Sequence, residues 1–502
     1  MRRLGIAVVA GLMATGCAVG PDFQRPAAPE VKSYRATPPA VEDQRFVDGA
    51  DVPAQWWELF HSEPLNVLVK RSLAANPNID AARAALLVAQ ENAVAQRGAF
   101  WPQVSASLTP TRQKIAGSLS SPLNSPANPF SLHTTQVIVG YTPDVFGGTR
   151  RQVESLEAQA EFQRFELEAA RLSLAANVVT AAVQEAAFRG QITAMKKVVA
   201  LDAEMLGLAR RQLALGAIAE AGVVAQETAL AQARAALPPL RKQLAQTRDL
   251  LTALAGGFPD KALEQNFDLE HLELPQALPL SLPSSLVEQR PDVRAAEALA
   301  HAASAQAGVA FANMLPQFSI NASFGSVASS MGDIFKAGGG FWSLAGAVAQ
   351  PIFESGALAH KKSAAEAAYD QALAQYRATV ITAFQNVADV LHALEQDADA
   401  LHAATAAERA ASRGLAIARR QMELGDISYL ALLSAEQSYQ QATIALVQAR
   451  ANRYADTAAL FQALGGGWWN QVALPPGNQR RSDAVVEATN FLLTARSAIL
   501  TT

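Results

Sequence analysis

The chain has 502 residues, half of them apolar and only 17% charged, which is enough for several ordinary domains and excludes a disordered chain. A net charge of −4 leaves no basic excess to displace phosphate counterions, so a nucleic-acid partner is excluded. A single cysteine rules out a disulfide framework and a Cys-based zinc site, while alanine, about a fifth of all positions, points to long helices whose backbones lie close together.

Met1-Arg2-Arg3 and the apolar run Leu4 to Ala14 form a positive n-region and a short h-region, too short to cross roughly 30 Å of hydrocarbon. The run ends Ala14-Thr15-Gly16-Cys17, which resembles the lipobox of bacterial lipoproteins, with Ala14 where that family usually carries Leu. The resemblance implies a signal peptide over residues 1–16, acylation of Cys17, and, since Ala18 follows in place of Asp, sorting to the outer membrane. No later run of 18 uncharged apolar residues offers a transmembrane helix. Residues 17–63 make an N-terminal segment that is Pro- and charge-rich and reads as extended as far as Pro53; Trp56-Trp57 reads as a packed anchor.

The chain then repeats itself. Asn76-Pro77 to Trp101-Pro102-Gln103 returns as Arg290-Pro291 to Leu315-Pro316-Gln317 at an offset of 214. Pro143 and Gly148 match Pro351 and Gly356 at 208, and Ala209-Arg210-Arg211-Gln212 matches Ala418-Arg419-Arg420-Gln421 at 209. Leu215-Gly216 and Glu227 likewise return as Leu424-Gly425 and Glu436. The length difference collects in the Ser/Pro/Asn-rich stretch Lys114 to Ser131, an expected exposed loop. The implied division is a first repeat at 64–257, a Pro-rich linker at 258–289, a second repeat at 290–467 and a tail at 468–502.

Each repeat has the same order. A helix (Pro77 to Gly98; Pro291 to Asn313) leads to a strand whose residues alternate, Val104, Ala106 and Leu108 against Gln103, Ser105 and Ser107. In the copy, Phe318, Ile320, Ala322 and Phe324 alternate with Gln317, Ser319, Asn321 and Ser323. Return strands are expected at Thr134 to Thr142 and Phe341 to Ala349; about ten residues also suits a tilted membrane-spanning strand. Proline is then absent from 144 to 237 and from 352 to 474. Gly148 to Leu215 would be a helix of roughly 100 Å, with 3,4 spacing at Phe162, Phe165, Ala169, Leu172, Ala176, Val179, Val183 and Ala186. Its copy shows Tyr369, Leu373, Tyr376, Val380, Ala383, Val387, Val390 and Leu394. Gly216 and Gly425 stop these helices, and return helices follow at Ala221 to Leu254, with Pro238-Pro239 expected to kink or offset it, and at Ser428 to Leu464.

Four membrane-type strands cannot close a barrel, and open edges in lipid cost several kcal/mol per unpaired group, so the chain must oligomerise. Three copies supply twelve strands above twelve long helices. At this point the sequence resembles the outer-membrane factor (TolC-like) family, in its lipoprotein subgroup serving RND-type efflux (NodT-type outer membrane lipoproteins). The residues that carry the likeness are Cys17 with Gly20-Pro21-Asp22-Phe23 and Pro26, Trp56-Trp57-Glu58-Leu59-Phe60 with Pro64-Leu65, Arg290-Pro291-Asp292-Val293 with Ala296-Glu297, and Leu464-Gly465-Gly466-Gly467-Trp468. The resemblance implies an α+β membrane protein: a homotrimer with a 12-stranded β-barrel in the outer membrane, continued by an α-helical coiled-coil barrel through the periplasm. Its implied partners are a periplasmic adaptor (membrane fusion protein), an inner-membrane RND transporter and outer-membrane lipid.

The matched hairpin tips are the candidate adaptor contacts: Arg211, Leu215 and Gly216 in one repeat, Arg420, Leu424 and Gly425 in the other. They also serve as ordinary helix ends, with Gly as cap and Arg against the helix dipole. Family tunnels close through acids just past these tips. The acids here are Glu220 and Asp426, the latter equally an N-cap for its return helix, whereas Gly222, Ala431 and Ser434 stand where several relatives carry theirs. His392 and His402 lie ten apart on different helix faces, and no metal or cofactor site is expected. No G-x-S-x-G, P-loop, H-E-x-x-H or G-x-G-x-x-G occurs, so no enzyme is expected. The competing readings are the outlet of a type I protein secretion system and a non-conducting, lipid-anchored periplasmic coiled-coil spacer; only the alternating strands tell against the spacer.

Overall fold

The computed structural model describes residues 18–31, 33–35, 44–114, 129–261 and 263–470. The leader 1–16, Cys17, most of the expected loop (115–128) and the tail from 471 lie outside the described residues.

Period-two alternation yields four long strands: β2 (Gln103–Gln113), β3 (Phe130–Tyr141), β5 (Gln317–Ala328) and β6 (Gly340–Ala349). They form one antiparallel sheet in the order β2-β3-β5-β6, so the pairing of β3 with β5 joins the two repeats. β3 begins four residues before the expected Thr134 because its ladder with β2 continues out to Gln113 opposite Phe130. A second, two-stranded parallel sheet pairs β1 (Arg45–Asp48) with β4 (Ala277–Leu280). The linker is therefore more than a connector: it carries β4 and the short helix α5 (Pro283–Gln289).

The helices are α1 (Glu63–Ala75), α2 (Pro77–Arg97), α3 (Gly148–Ala214), α4 (Glu220–Leu254), α6 (Pro291–Ala312), α7 (Ala357–Leu424) and α8 (Tyr429–Ala463). α3 and α7, with 67 and 68 residues, run about 100 Å each. Each starts at a left-handed glycine, Gly147 (φ 78°) and Gly356 (φ 85°). By conformation Gly147 therefore matches Gly356, correcting the Gly148–Gly356 pairing read from sequence. The offset is then 209 at both ends of the long helix, and the two copies have no length difference between start and tip. The Pro238-Pro239 pair does not interrupt α4, which is one helix throughout. Ala233 and Leu237 before the pair, and Leu240 and Leu244 beyond it, pack on the cluster of Ile192, Met195 and Val198 of α3, so both sides of the pair rest on the same helix.

Burial separates the two long helices. From Leu174 to Ala187, α3 is buried almost all round; along its whole length it contacts α1, α2, α4, α6 and α8. α7 is buried on one stripe, at Tyr376, Val380, Ala383, Val387, Leu391 and Leu394, with Leu391 inside where Val390 was expected. α6 brings Ala295, Ala298, Ala302, Ala305 and Gly308 into its contacts with α3 and α7, the close backbone approach that small side chains permit. The main core surrounds Trp56, Phe60, Leu65, Phe267, Leu286, Tyr454 and Phe461, and only small apolar clusters continue toward the tips. Trp56 is 1% exposed and stacks on Phe461 at 5.3 Å, so the Trp56-Trp57 pair is an anchor.

Candidate functional site: strand faces and hairpin tips

Strand register sorts the sheet into two unlike faces. On one, the rows Val104-Val139-Ala322-Leu344 and Ala106-Val137-Phe324-Trp342 cross all four strands. On the other, the matching rows are Ser105-Ile138-Ser323-Ser343 and Gln103-Gly140-Asn321-Ala345. The Ser323 and Ser343 hydroxyls hydrogen-bond at 2.8 Å across this second face. Trp342 is 77% exposed and Phe324 70% exposed, apolar surface that would be unstable against water. The outer edges of β2 and β6 have no partner strand among the described residues. One apolar face, one polar face and two open edges are the requirements of a barrel segment, as the alternation had suggested.

At the opposite end the two tips are copies in detail. Gly216 N–H bonds Leu213 O (2.9 Å) and Ala217 N–H bonds Gln212 O (2.8 Å). Gly425 N–H bonds Met422 O (3.1 Å) and Asp426 N–H bonds Gln421 O (2.9 Å), 209 residues on. Both glycines have positive φ, 75° and 79°, and nothing lies within 4 Å of a Cβ built on either. This is the left-handed closure that glycine supplies at a helix end. Leu215 and Leu424 are exposed beside them, as are Arg211 and Arg420, the latter paired with Glu423 at 3.0 Å. Leu430, another exposed apolar side chain near the tip, was not singled out in the sequence.

Glu220 lies exposed in the first turn of α4 and Asp426 lies exposed at the second tip. The N-cap reading of Asp426 is corrected: the cap of α8 is Ser428, whose side chain accepts from Ala431 N at 3.3 Å. Asp426 instead closes α7 through its backbone, which leaves its carboxylate uncommitted to the return helix. Among the described residues no group of three His, Cys, Asp or Glu side chains could hold a metal ion.

Two features escaped the sequence reading. The first is a strap just after Cys17. Val19 N–H bonds Phe146 O (3.0 Å), the buried Arg151 donates to Val19 O (3.2 Å) and pairs with Asp22 (2.6 Å), and Phe23 stacks on His301 at 4.6 Å. Arg25 then reaches Glu288 and Glu297. The strap ties residues 18–25 to α3 and α6, beside the junction of strands and helices. The second is a carboxyl pair: burial, then the hydrogen bond and charge of Asp456, push Asp397 up to about 7, with Arg453 opposing.

The chain matches the family model described as "Outer membrane efflux protein" over residues 68–257 and 282–466. It is 30% identical over 485 residues to the probable efflux pump outer membrane protein TtgC of Pseudomonas putida, covering 95% of this chain and 98% of that one. It is 28% identical to the outer membrane protein OprJ of Pseudomonas aeruginosa, covering 93% and 97%. Among solved structures it is similar to the outer-membrane channel OprN, with a TM-score of 0.81, 26% identity and coverage of 90% and 100%.

Proposed function

The chain belongs to the outer membrane efflux protein family and is an outer-membrane efflux channel with a periplasmic extension; from that premise we propose that it works as a homotrimeric exit duct. The observation that carries this reading is the sheet itself: four strands with one apolar face, one polar face and two open edges. Three such sheets joined edge to edge make a 12-stranded barrel with no unpaired backbone in lipid and a polar lumen. Below it, the paired long helices of three chains form a coiled-coil tunnel of about 100 Å. The duct conducts passively, with energy from an RND-type inner-membrane transporter reached through a periplasmic adaptor. Arg211, Leu215, Gly216, Arg420, Leu424 and Gly425 are the adaptor contacts in this reading, and Glu220 with Asp426 the acidic periplasmic gate. Cys17 is the lipidated residue that follows signal peptide 1–16. The division into an N-terminal segment 17–63, repeats 64–257 and 290–467, linker 258–289 and tail 468–502 belongs to the same reading. No enzymatic step is assigned to the chain.

Single-channel conductance of the purified protein in planar bilayers, with its mass measured in the same detergent, tests the proposal. Discrete conductance steps from a trimer support it. A trimer that never conducts selects the periplasmic spacer, and a protein that neither conducts nor trimerises removes the duct.

A further inference from the structure

Short of the tips, the two helical hairpins meet in a small apolar cluster. Leu415 and Ala418 of α7 and Leu432 of α8 pack there with Leu201 and Met205 of α3 and Ala435 of α8. Two carboxyl groups stand at the next residue on each side of this contact: Asp202 follows Leu201, and Glu436 follows Ala435. Glu436 is 3% exposed and Asp202 4% exposed. Both oxygens of Glu436 are buried without a hydrogen-bond partner. The groups that act on it are Asp202 from α3, which repels its charge, and Arg419 from α7, which attracts it. From α4 comes the neutral, buried Gln226, whose amide donates to the Asp202 carbonyl at 3.0 Å and whose side chain also hydrogen-bonds the Asp202 carboxyl group, partly offsetting the effect of its burial. Glu227, the copy of Glu436 in the first repeat, is exposed and paired with Arg210 at 2.7 Å. The duplication has thus placed one glutamate in water and its twin inside the contact between hairpins.

An ionised carboxylate buried without donors is strongly unfavourable, and a neutral carboxyl much less so. We propose that Glu436 is a proton-operated latch between the two hairpins: protonated while α3 and α8 are closed on each other, and loosening that contact when it ionises. The latch lies inside one chain and differs in place and chemistry from the exposed tip acids Glu220 and Asp426. Burial, reinforced by Asp202, pushes Glu436 up to about 7, and burial also raises Asp202. When the contact opens, Glu436 returns toward the ordinary glutamate value of about 4.3. The closed state therefore binds the extra proton between those two values, and the closed-to-open ratio falls about tenfold per pH unit across that window, levelling off above it.

The test uses the full-length chain in detergent with spin labels at Glu204→Cys on α3 and Gln437→Cys on α8, both exposed sites, a chain with Cys17 alone serving as labelling control. Pulsed dipolar distance distributions are recorded at pH 5, 6, 7 and 8. A longer-distance population should grow from pH 5 to 7 and then level off, E436Q should hold the short distance throughout, and D202N should weaken the response. A parent distribution that is the same at every pH overturns the latch, as does an E436Q response equal to the parent's. Should E436Q fail to fold, an unchanged response in D202N is the overturning result. The distances do not depend on conduction, so a chain that fails to conduct in planar bilayers refutes the duct and leaves the latch to be decided by the distances.

Discussion

Gly20 is the position at which the strap can be released with least change elsewhere. Its φ is +94°, and a Cβ there would lie 2.4 Å from Gly308 Cα, backbone of a helix held on both sides by α3 and α7. Gly20→Ala therefore meets two obstacles. A side chain in the left-handed region costs about 1–2 kcal/mol, and the clash with α6 can be relieved only by lifting the strap. The strap is held by two or three backbone-directed hydrogen bonds, each of about 0.5–1.5 kcal/mol net. The Arg151–Asp22 pair adds little, because Asp22 is 90% exposed. Strain alone should raise the detached population roughly 5- to 30-fold, with the clash adding to that. Native-state chymotrypsin cleavage after Phe23, which is shielded on His301 only while the strap is docked, reads this population directly. Gly49→Ala is the control, since Gly49 has φ +72° and nothing within 4 Å of its Cβ position. If Gly20→Ala is cut at the parent rate, residues 18–25 are not held as described.

Three further outcomes are expected. Val137→Lys, on the apolar strand face, should cost about 2–4 kcal/mol at mid-membrane depth, while Ser323→Lys on the opposite face should be tolerated; the yield of folded, outer-membrane-inserted protein distinguishes them, and equal yields would contradict the assigned faces. Trp56→Ala should destabilise the chain by about 3–5 kcal/mol, seen as a lower denaturant midpoint, given its burial and its stack on Phe461. Asp397 has a raised value in the fold, so the stability it contributes is full below the ordinary aspartate value of about 3.9 and is lost as pH rises toward about 7. Asp397→Asn should therefore remove part of the fall in thermal midpoint across that window.

The membrane strands were legible because Val104, Ala106 and Leu108 alternate with Gln103, Ser105 and Ser107 at a fixed period, which depends only on local geometry. The same holds for the tips, where Gly216 and Gly425 each sit at the end of a long periodic run. The strap was not legible. Gly20 fits only against Gly308, nearly three hundred residues away, and no local pattern announces such a meeting. β1 and β4 are four residues each, too short for alternation to register. At the second tip, Asp426 suits a cap by residue type, but the turn geometry gives that place to Ser428. Glu436 matched Glu227 in sequence, but their opposite burial arises from how the hairpins pack.

The polar strand face has one more property. From Gln103 to Gln113 on β2, and through the residues in register with them on β3, β5 and β6, it presents hydroxyls, amides, methyl groups and a few apolar side chains such as Phe130, Ile138 and Phe341, without a single Asp, Glu, Lys or Arg. In the proposed barrel that wall would hold no fixed charge, so a passing anion and a passing cation would meet the same field. A ring of ionised side chains is the usual means by which a pore sorts ions. Without one, this stretch of the conduit can discriminate only by width and wetting, and any preference for the charge of a solute has to be exercised outside the strands.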